Sequence, residues 1–175
     1  MNPHTMLADA RRETDKLFDL VRPDSLYERP IPERHRIIFY LGHLEAFDWN
    51  LLRPRMRGVE AFDARLDRLF AFGIDPVDGG LPSDTPSDWP AVEEIRGYNQ
   101  RVRQTLDGAE HDGLLLHMAL EHRLMHAETL AYMLHQLPLE QKRAERQAAA
   151  PASVGTTNTR RTRRASRRSR STATR

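Results

Sequence analysis

Residues 114–137 constrain the fold more than any other part of the chain. They contain no glycine or proline, and most of their residue types favour an α-helix. His122 and His126 lie four residues apart, so their imidazoles can bind one metal ion together. His117, Glu121 and Glu128 project to the opposite side and are poor candidates for the same site. At about 100° per residue, one mostly apolar face is predicted to point into a core and to consist of Leu115, Met118, Ala119, His122, His126, Leu130, Met133 and Leu137.

The rest of the sequence predicts further helices around this one. Apolar residues recur at spacings of three and four in three other long segments, and proline residues limit them. A long loop rich in Gly, Pro and Asp, at residues 73–88, follows a shorter helical pattern. Ser87 or Asp88 is predicted to cap the helix after that loop. The helical patterns cover residues 5–21, 32–52, 62–72, 88–106 and 114–136. These patterns predict an all-α, up-and-down four-helix bundle.

His43 is the leading candidate for a third ligand. It lies on an apolar face of the second helix, which it shares with Phe39, Tyr40 and Phe47. Gly42 precedes it, and a glycine inside a helix costs about 1 kcal/mol relative to alanine. Such a glycine is easier to explain if another group packs against the backbone there. A histidine on an apolar helix face is also common as a hydrogen-bonded core residue, which is the alternative interpretation of His43.

The ligand set limits the chemistry without fixing the metal. The chain has no cysteine, so disulfides, thiolate sites and a cysteine nucleophile are excluded. Three neutral imidazoles leave coordination positions open for water or substrate, and they suit Fe, Ni, Cu or Zn. A zinc peptidase is not favoured, because Arg123 stands where that motif requires a glutamate as general base.

The charge is divided unevenly along the chain. The net charge is +2, but residues 151–175 hold eight arginines and no acid, so residues 1–150 carry about −6. We expect a helical domain over residues 1–140 and a disordered tail rich in Ala, Arg, Ser and Thr over residues 141–175. No apolar run is long enough to span a membrane, and no signal peptide is evident, so we expect a cytoplasmic protein without a membrane partner.

Two motifs resemble those of a known family. Residues 40–47, Tyr-Leu-Gly-His-Leu-Glu-Ala-Phe, resemble the second-helix signature of DinB-like four-helix domains, and residues 122–128, His-Arg-Leu-Met-His-Ala-Glu, resemble their histidine helix. The pair looks like the N-terminal domain of the sulfoxide synthases that make ergothioneine or ovothiol. That resemblance implies a non-haem iron, Fe(II), held by His43, His122 and His126, with Zn(II) or Ni(II) as alternatives. The family often has Glu where this chain has Arg123.

The resemblance also implies a reaction and partners. Such enzymes join a small-molecule thiol to a histidine derivative by oxidative carbon–sulfur bond formation, and a second domain supplies their acid–base residues. We therefore expect this chain to be a truncated N-terminal part, inactive alone, and no catalytic residue or oligomeric state is assigned. One alternative is a stand-alone metal-dependent thiol transferase or hydrolase of the DinB-like kind. The other is a non-enzymatic bundle whose basic tail binds nucleic acid.

Overall fold

The computed structural model describes residues 2–74 and 80–143, which form an all-α structure without a named β-strand. Four long helices build the predicted bundle, and a short helix lies between the second and the third. The all-α bundle predicted from the sequence is therefore confirmed. The α-helices in the described part are α1 (Pro3–Asp19), α2 (Ile37–Leu52), α3 (Ala64–Phe72), α4 (Val92–Asp107) and α5 (Gly113–Gln136).

Helix α2 is the centre of the packing. It contacts α3, α4 and α5, while α5 also packs along α1. Residues on all sides of α2 are consequently buried, including Ile37, Leu44 and Trp49. This burial explains why α2 is apolar nearly all round and shows no single apolar stripe. Helix α5 likewise lacks one clear apolar stripe, because its exposed outer face also carries apolar residues, Leu114, Met118 and Met125.

Two predicted helix starts were wrong. Helix α2 begins at Ile37 and not near Pro32, because Arg36 has an extended backbone and uses its side chain elsewhere. The Arg36 guanidinium donates to the carboxylate of Asp84 at 2.8 Å and to the carbonyl of Tyr27 at 2.7 Å. Helix α4 begins at Val92, since Asp88 instead forms a capping box with Thr85 on a preceding 3-10 turn.

The carboxylate of Asp84 fixes the end of the long loop. It is buried, and it accepts hydrogen bonds from Arg29, Arg36 and the Trp89 indole. Burial opposes its ionisation, but these donors outweigh burial and lower its pKa. Asp84 therefore ties the segment before α2 to the segment before α4.

The predicted tail cannot be compared with this fold. Residues 144–175 lie outside the described residues, so the boundary at residue 140 and the disordered tail remain predictions. Within the residues that are described, no helix is both long enough and apolar enough to cross a membrane.

Candidate metal centre

The structure brings together the three histidines that the sequence singled out. His43 projects from the middle of α2, and His122 and His126 project from α5. The Nε2 atom of His43 lies 3.2 Å from Nε2 of His122 and 3.2 Å from Nε2 of His126. One ring nitrogen from each of the three lies within 4.8 Å of the others, and none of the three side chains is fully exposed. Whether they ligate a metal remains a prediction.

These separations fit a shared metal ion. Two nitrogens that each lie about 2.1 Å from one ion are about 3.0 Å apart at a right angle and about 3.4 Å apart at a tetrahedral angle. Both observed separations, 3.2 Å, lie between those limits. Hydrogen bonds alone explain the cluster less well, because a neutral His43 ring has one lone pair on Nε2 and faces two neighbouring nitrogens.

The ring of His43 is oriented by α3. Its Nδ1 lies 2.6 Å from the carbonyl oxygen of Phe70, which can only accept, so Nδ1 carries the proton and Nε2 carries the lone pair. That carbonyl belongs to the last turn of α3, where carbonyls have no partner within the helix. A carbonyl that holds the outer nitrogen of a histidine in this way is typical of metal ligands. The Nδ1 atoms of His122 and His126 are buried without such a partner in the described part of the chain.

Gly42 allows α3 to come this close. A Cβ atom built at Gly42 would lie 2.5 Å from two ring carbons of Phe70, well inside van der Waals contact. The absence of a side chain therefore lets the Phe70 ring pack on the α2 backbone. The same packing delivers the Phe70 carbonyl to His43, one residue farther along.

Aromatic rings enclose the imidazoles. Phe39 stacks on His43 with centroids 4.6 Å apart, Phe47 stacks on His122 at 3.4 Å, and the Tyr40 ring lies 5.5 Å from that of His126. The burial that results disfavours the charged imidazolium. It lowers the pKa of His43, lowers that of His122 to about 3 and lowers that of His126 to about 4. All three rings are therefore neutral at pH 7, the state that binds a metal.

Arg123 has a role that the sequence analysis missed. Its side chain is buried and only 1% exposed. Met118, by contrast, was predicted to point into the core, and that prediction was wrong, because it is 45% exposed. The Arg123 guanidinium donates to the Asp48 carboxylate at 2.8 Å and to the Leu44 carbonyl at 3.1 Å. It also forms an ion pair with Glu45 at 3.0 Å. Since Arg123 follows His122 and these partners closely follow His43, the cluster fixes α5 against α2 at the level of the histidines.

The same ionic cluster extends to the other two long helices. Arg11 of α1 binds Asp48 at 3.2 Å, and Arg103 of α4 binds Glu45 at 2.7 Å. Burial raises the pKa of Glu45, but the charges of Arg123, Arg103 and Arg11 outweigh it and lower that pKa to about 2. The sequence does contain a signal for this cluster, because Glu45 and Asp48 lie three residues apart in a helix that has no other Asp, Glu, Lys or Arg. Such a pair requires buried cations.

Other residues of interest lie outside the cluster or in the long loop. His117, Glu121 and Glu128 are exposed and lie outside the cluster, as expected. His35 is half-buried, and its ring lies 4.2 Å from that of Phe39, which itself stacks on His43. In the 73–88 loop, residues 75–79 lie outside the described residues.

Comparison with known proteins supports the sequence resemblance. A family model described as the DinB superfamily matches residues 6–130. A protein of Neurospora crassa named ergothioneine biosynthesis protein 1 is 36% identical over 127 residues, a match that covers 65% of this chain and 14% of that protein. The protein of the same name from Schizosaccharomyces pombe is 29% identical over 130 residues, covering 65% of this chain and 17% of that protein. The chain thus matches only about one sixth of the length of these curated relatives.

Proposed function

Because the chain belongs to the DinB superfamily, we propose that its three-histidine cluster binds one divalent metal ion and that this ion is Fe(II). The observation that carries the proposal is the convergence of three ring nitrogens from α2 and α5, with His43 oriented by the Phe70 carbonyl. The choice of iron rests on the resemblance to sulfoxide synthases, since imidazole ligands alone do not distinguish Fe(II) from Zn(II) or Ni(II).

We further propose that the chain forms the metal-binding part of an ergothioneine-type enzyme that acts on a small-molecule thiol and a histidine derivative. The similarity to two proteins named ergothioneine biosynthesis protein 1 supports this proposal. Fe(II) would supply the activation of dioxygen for oxidative carbon–sulfur bond formation. The three imidazoles hold the ion without adding negative charge, so a bound ion keeps its full charge for an anionic ligand. Phe39 and Phe47 limit the access of water to two of the rings.

Among the residues that the structure describes, Tyr40 and Asn50 are the polar side chains of α2 that could help to hold a substrate near the cluster. The Tyr40 ring lies 5.5 Å from that of His126, while the amide of Asn50 is exposed and donates to the carbonyl of Asp67 at 3.4 Å. Joining a thiol to a second substrate requires both to be held in near-attack geometry. We therefore propose that the 175-residue chain binds the metal but turns over the two substrates negligibly by itself.

An anaerobic titration with Fe(II), followed by nitric oxide, tests this function. We expect one Fe(II) per chain and an iron–nitrosyl electron paramagnetic resonance signal, because three histidines leave positions open for a further ligand. Substoichiometric iron, or bound iron that cannot take up nitric oxide, contradicts the proposal. Dioxygen-independent thiol transfer by the Zn(II)-loaded chain would instead support the transferase alternative. Rapid sulfoxide formation by the 175-residue chain alone would refute the proposal that it turns over the two substrates negligibly by itself.

A further inference from the structure

Helices α2 and α5 run antiparallel, and a series of paired side chains crosses between them. Phe47 pairs with His122, His43 lies between His122 and His126, and Tyr40 pairs with His126. The next pair along the same line joins Arg34, just before α2, to Tyr132 of α5. The series therefore leads from the candidate metal centre to the guanidinium of Arg34.

Arg34 is an exposed cation without a carboxylate partner among the described residues. Its guanidinium carbon lies 5.8 Å from the centroid of the Tyr132 ring. The neighbouring Arg29 and Arg36 differ, since both bind the buried Asp84. A guanidinium that rests on an aromatic face still has its N–H edge available for two parallel hydrogen bonds to a carboxylate.

We infer that Arg34 is the anion anchor of this metal centre, holding the carboxylate of a ligand whose other end binds the metal. The inference rests on the metal binding proposed above. Tyr132 follows His126 by six residues, which corresponds to about 9 Å along a helix. A ligand that uses both points must therefore carry its anionic group several bonds from its metal-binding atom. Because its guanidinium already rests on the Tyr132 ring, Arg34 gives up fewer rotamers when a ligand binds.

Thiols of matched length test this assignment. Co(II) is bound to the purified chain first and its stoichiometry measured, and the Co(II)–thiolate absorption then reports the affinity for each thiol. The ligands are 6-mercaptohexanoate, its neutral analogue 6-mercaptohexanol, and mercaptoacetate, which is too short to reach Arg34. Arg34→Ala is compared with Arg34→Lys and with Arg101→Ala, a matched control. Arg101 is also exposed and lies over an aromatic ring, with its guanidinium carbon 4.2 Å from the Phe62 centroid.

The predicted loss of affinity depends on the charge of the thiol, on its length and on which arginine is replaced. Arg34→Ala should weaken the binding of 6-mercaptohexanoate by about three- to ten-fold, the range of a partly exposed charged pair. Its affinity for 6-mercaptohexanol, mercaptoacetate and Co(II) should not change, and Arg34→Lys should lie between Arg34→Ala and the wild type. Equal losses for the charged and the neutral thiol, no loss at all, or the same loss in Arg101→Ala would overturn the inference. Failure of the wild type to bind Co(II) would instead refute the metal proposal, before any thiol is added.

Discussion

Replacing Gly42 by alanine should damage both the fold and the metal centre. A Cβ atom at this position would lie 2.5 to 2.6 Å from three carbons of the Phe70 ring. Phe70 is 0% exposed, so the ring cannot swing out into solvent. Either α3 moves away from α2 or the core around Phe70 repacks. Both responses shift the Phe70 carbonyl, which holds Nδ1 of His43 at 2.6 Å.

The expected magnitude follows from two opposing terms. Overpacking a close-packed core typically costs about 1–3 kcal/mol of unfolding free energy. Alanine in place of glycine inside a helix returns about 1 kcal/mol. Gly97 is the matched control, because it also lies inside an α-helix but a Cβ atom there meets nothing within 4 Å. Gly97→Ala should therefore stabilise the protein, and the difference between the two variants should equal the steric cost at Phe70, about 1–3 kcal/mol.

Urea unfolding and metal titration measure the two consequences separately. Loss of the carbonyl contact to a ligating histidine should reduce metal affinity about ten-fold in Gly42→Ala, with no change in Gly97→Ala. Replacing Phe70 by leucine in the Gly42→Ala chain should restore part of both losses, because the two positions share one contact. A Gly42→Ala protein that is as stable as Gly97→Ala, with wild-type metal affinity, would show that Phe70 does not constrain this position.

Three further perturbations test the centre and the ionic cluster beside it. His122→Ala and His126→Ala should each abolish stoichiometric metal binding measured by metal analysis after dialysis, whereas His117→Ala should not; equal metal content in all three would contradict the assignment. The metal-free protein should lose unfolding free energy as the pH falls from about 6.5 to about 4, because His122 and His126 stay neutral in the folded state while the unfolded chain binds protons. Urea unfolding across that range should show a smaller slope in His122→Gln, and an unchanged slope would refute the burial argument. Arg123→Met should cost about 3–5 kcal/mol in the same assay, because it removes one partner from a buried ion cluster; a loss below about 1 kcal/mol would contradict the role of Arg123 in fixing α5 on α2.

Local geometry makes the proximity of two of the three histidines predictable from the sequence, whereas the approach of His43 depends on how α2 packs against α5. Residues four apart on one helix are neighbours whatever the fold, so His122 and His126 had to be close. Gly42 added a second local signal, since its cost in a helix is offset only by close packing, and Phe70 provides that packing. The fold class followed from several long helical patterns separated by prolines.

The inward faces of the helices were harder to predict. A period of 3.6 residues identifies the buried face only when the other side of the helix is polar, and α5 carries exposed apolar residues, Leu114, Met118 and Met125, on its outer side. The apolar Met118 was therefore placed in the core, while the buried Arg123 was read as a departure from a family pattern. Ion pairs with Glu45 and Asp48 of another helix offset the desolvation free energy of the buried Arg123. These ion pairs depend on how α5 packs against α2, which the local sequence pattern does not show.

X-ray absorption spectroscopy of the Fe(II)-loaded chain can count the histidines that bind the ion. If His43, His122 and His126 hold one ion, the extended X-ray absorption fine structure (EXAFS) of the wild type should show three imidazole nitrogens at about 2.0–2.2 Å from the iron. The His43→Ala variant should show only two, because the remaining pair lies on α5 alone. A first shell made mainly of carboxylate or water oxygens, or one that does not change in His43→Ala, would contradict the claim.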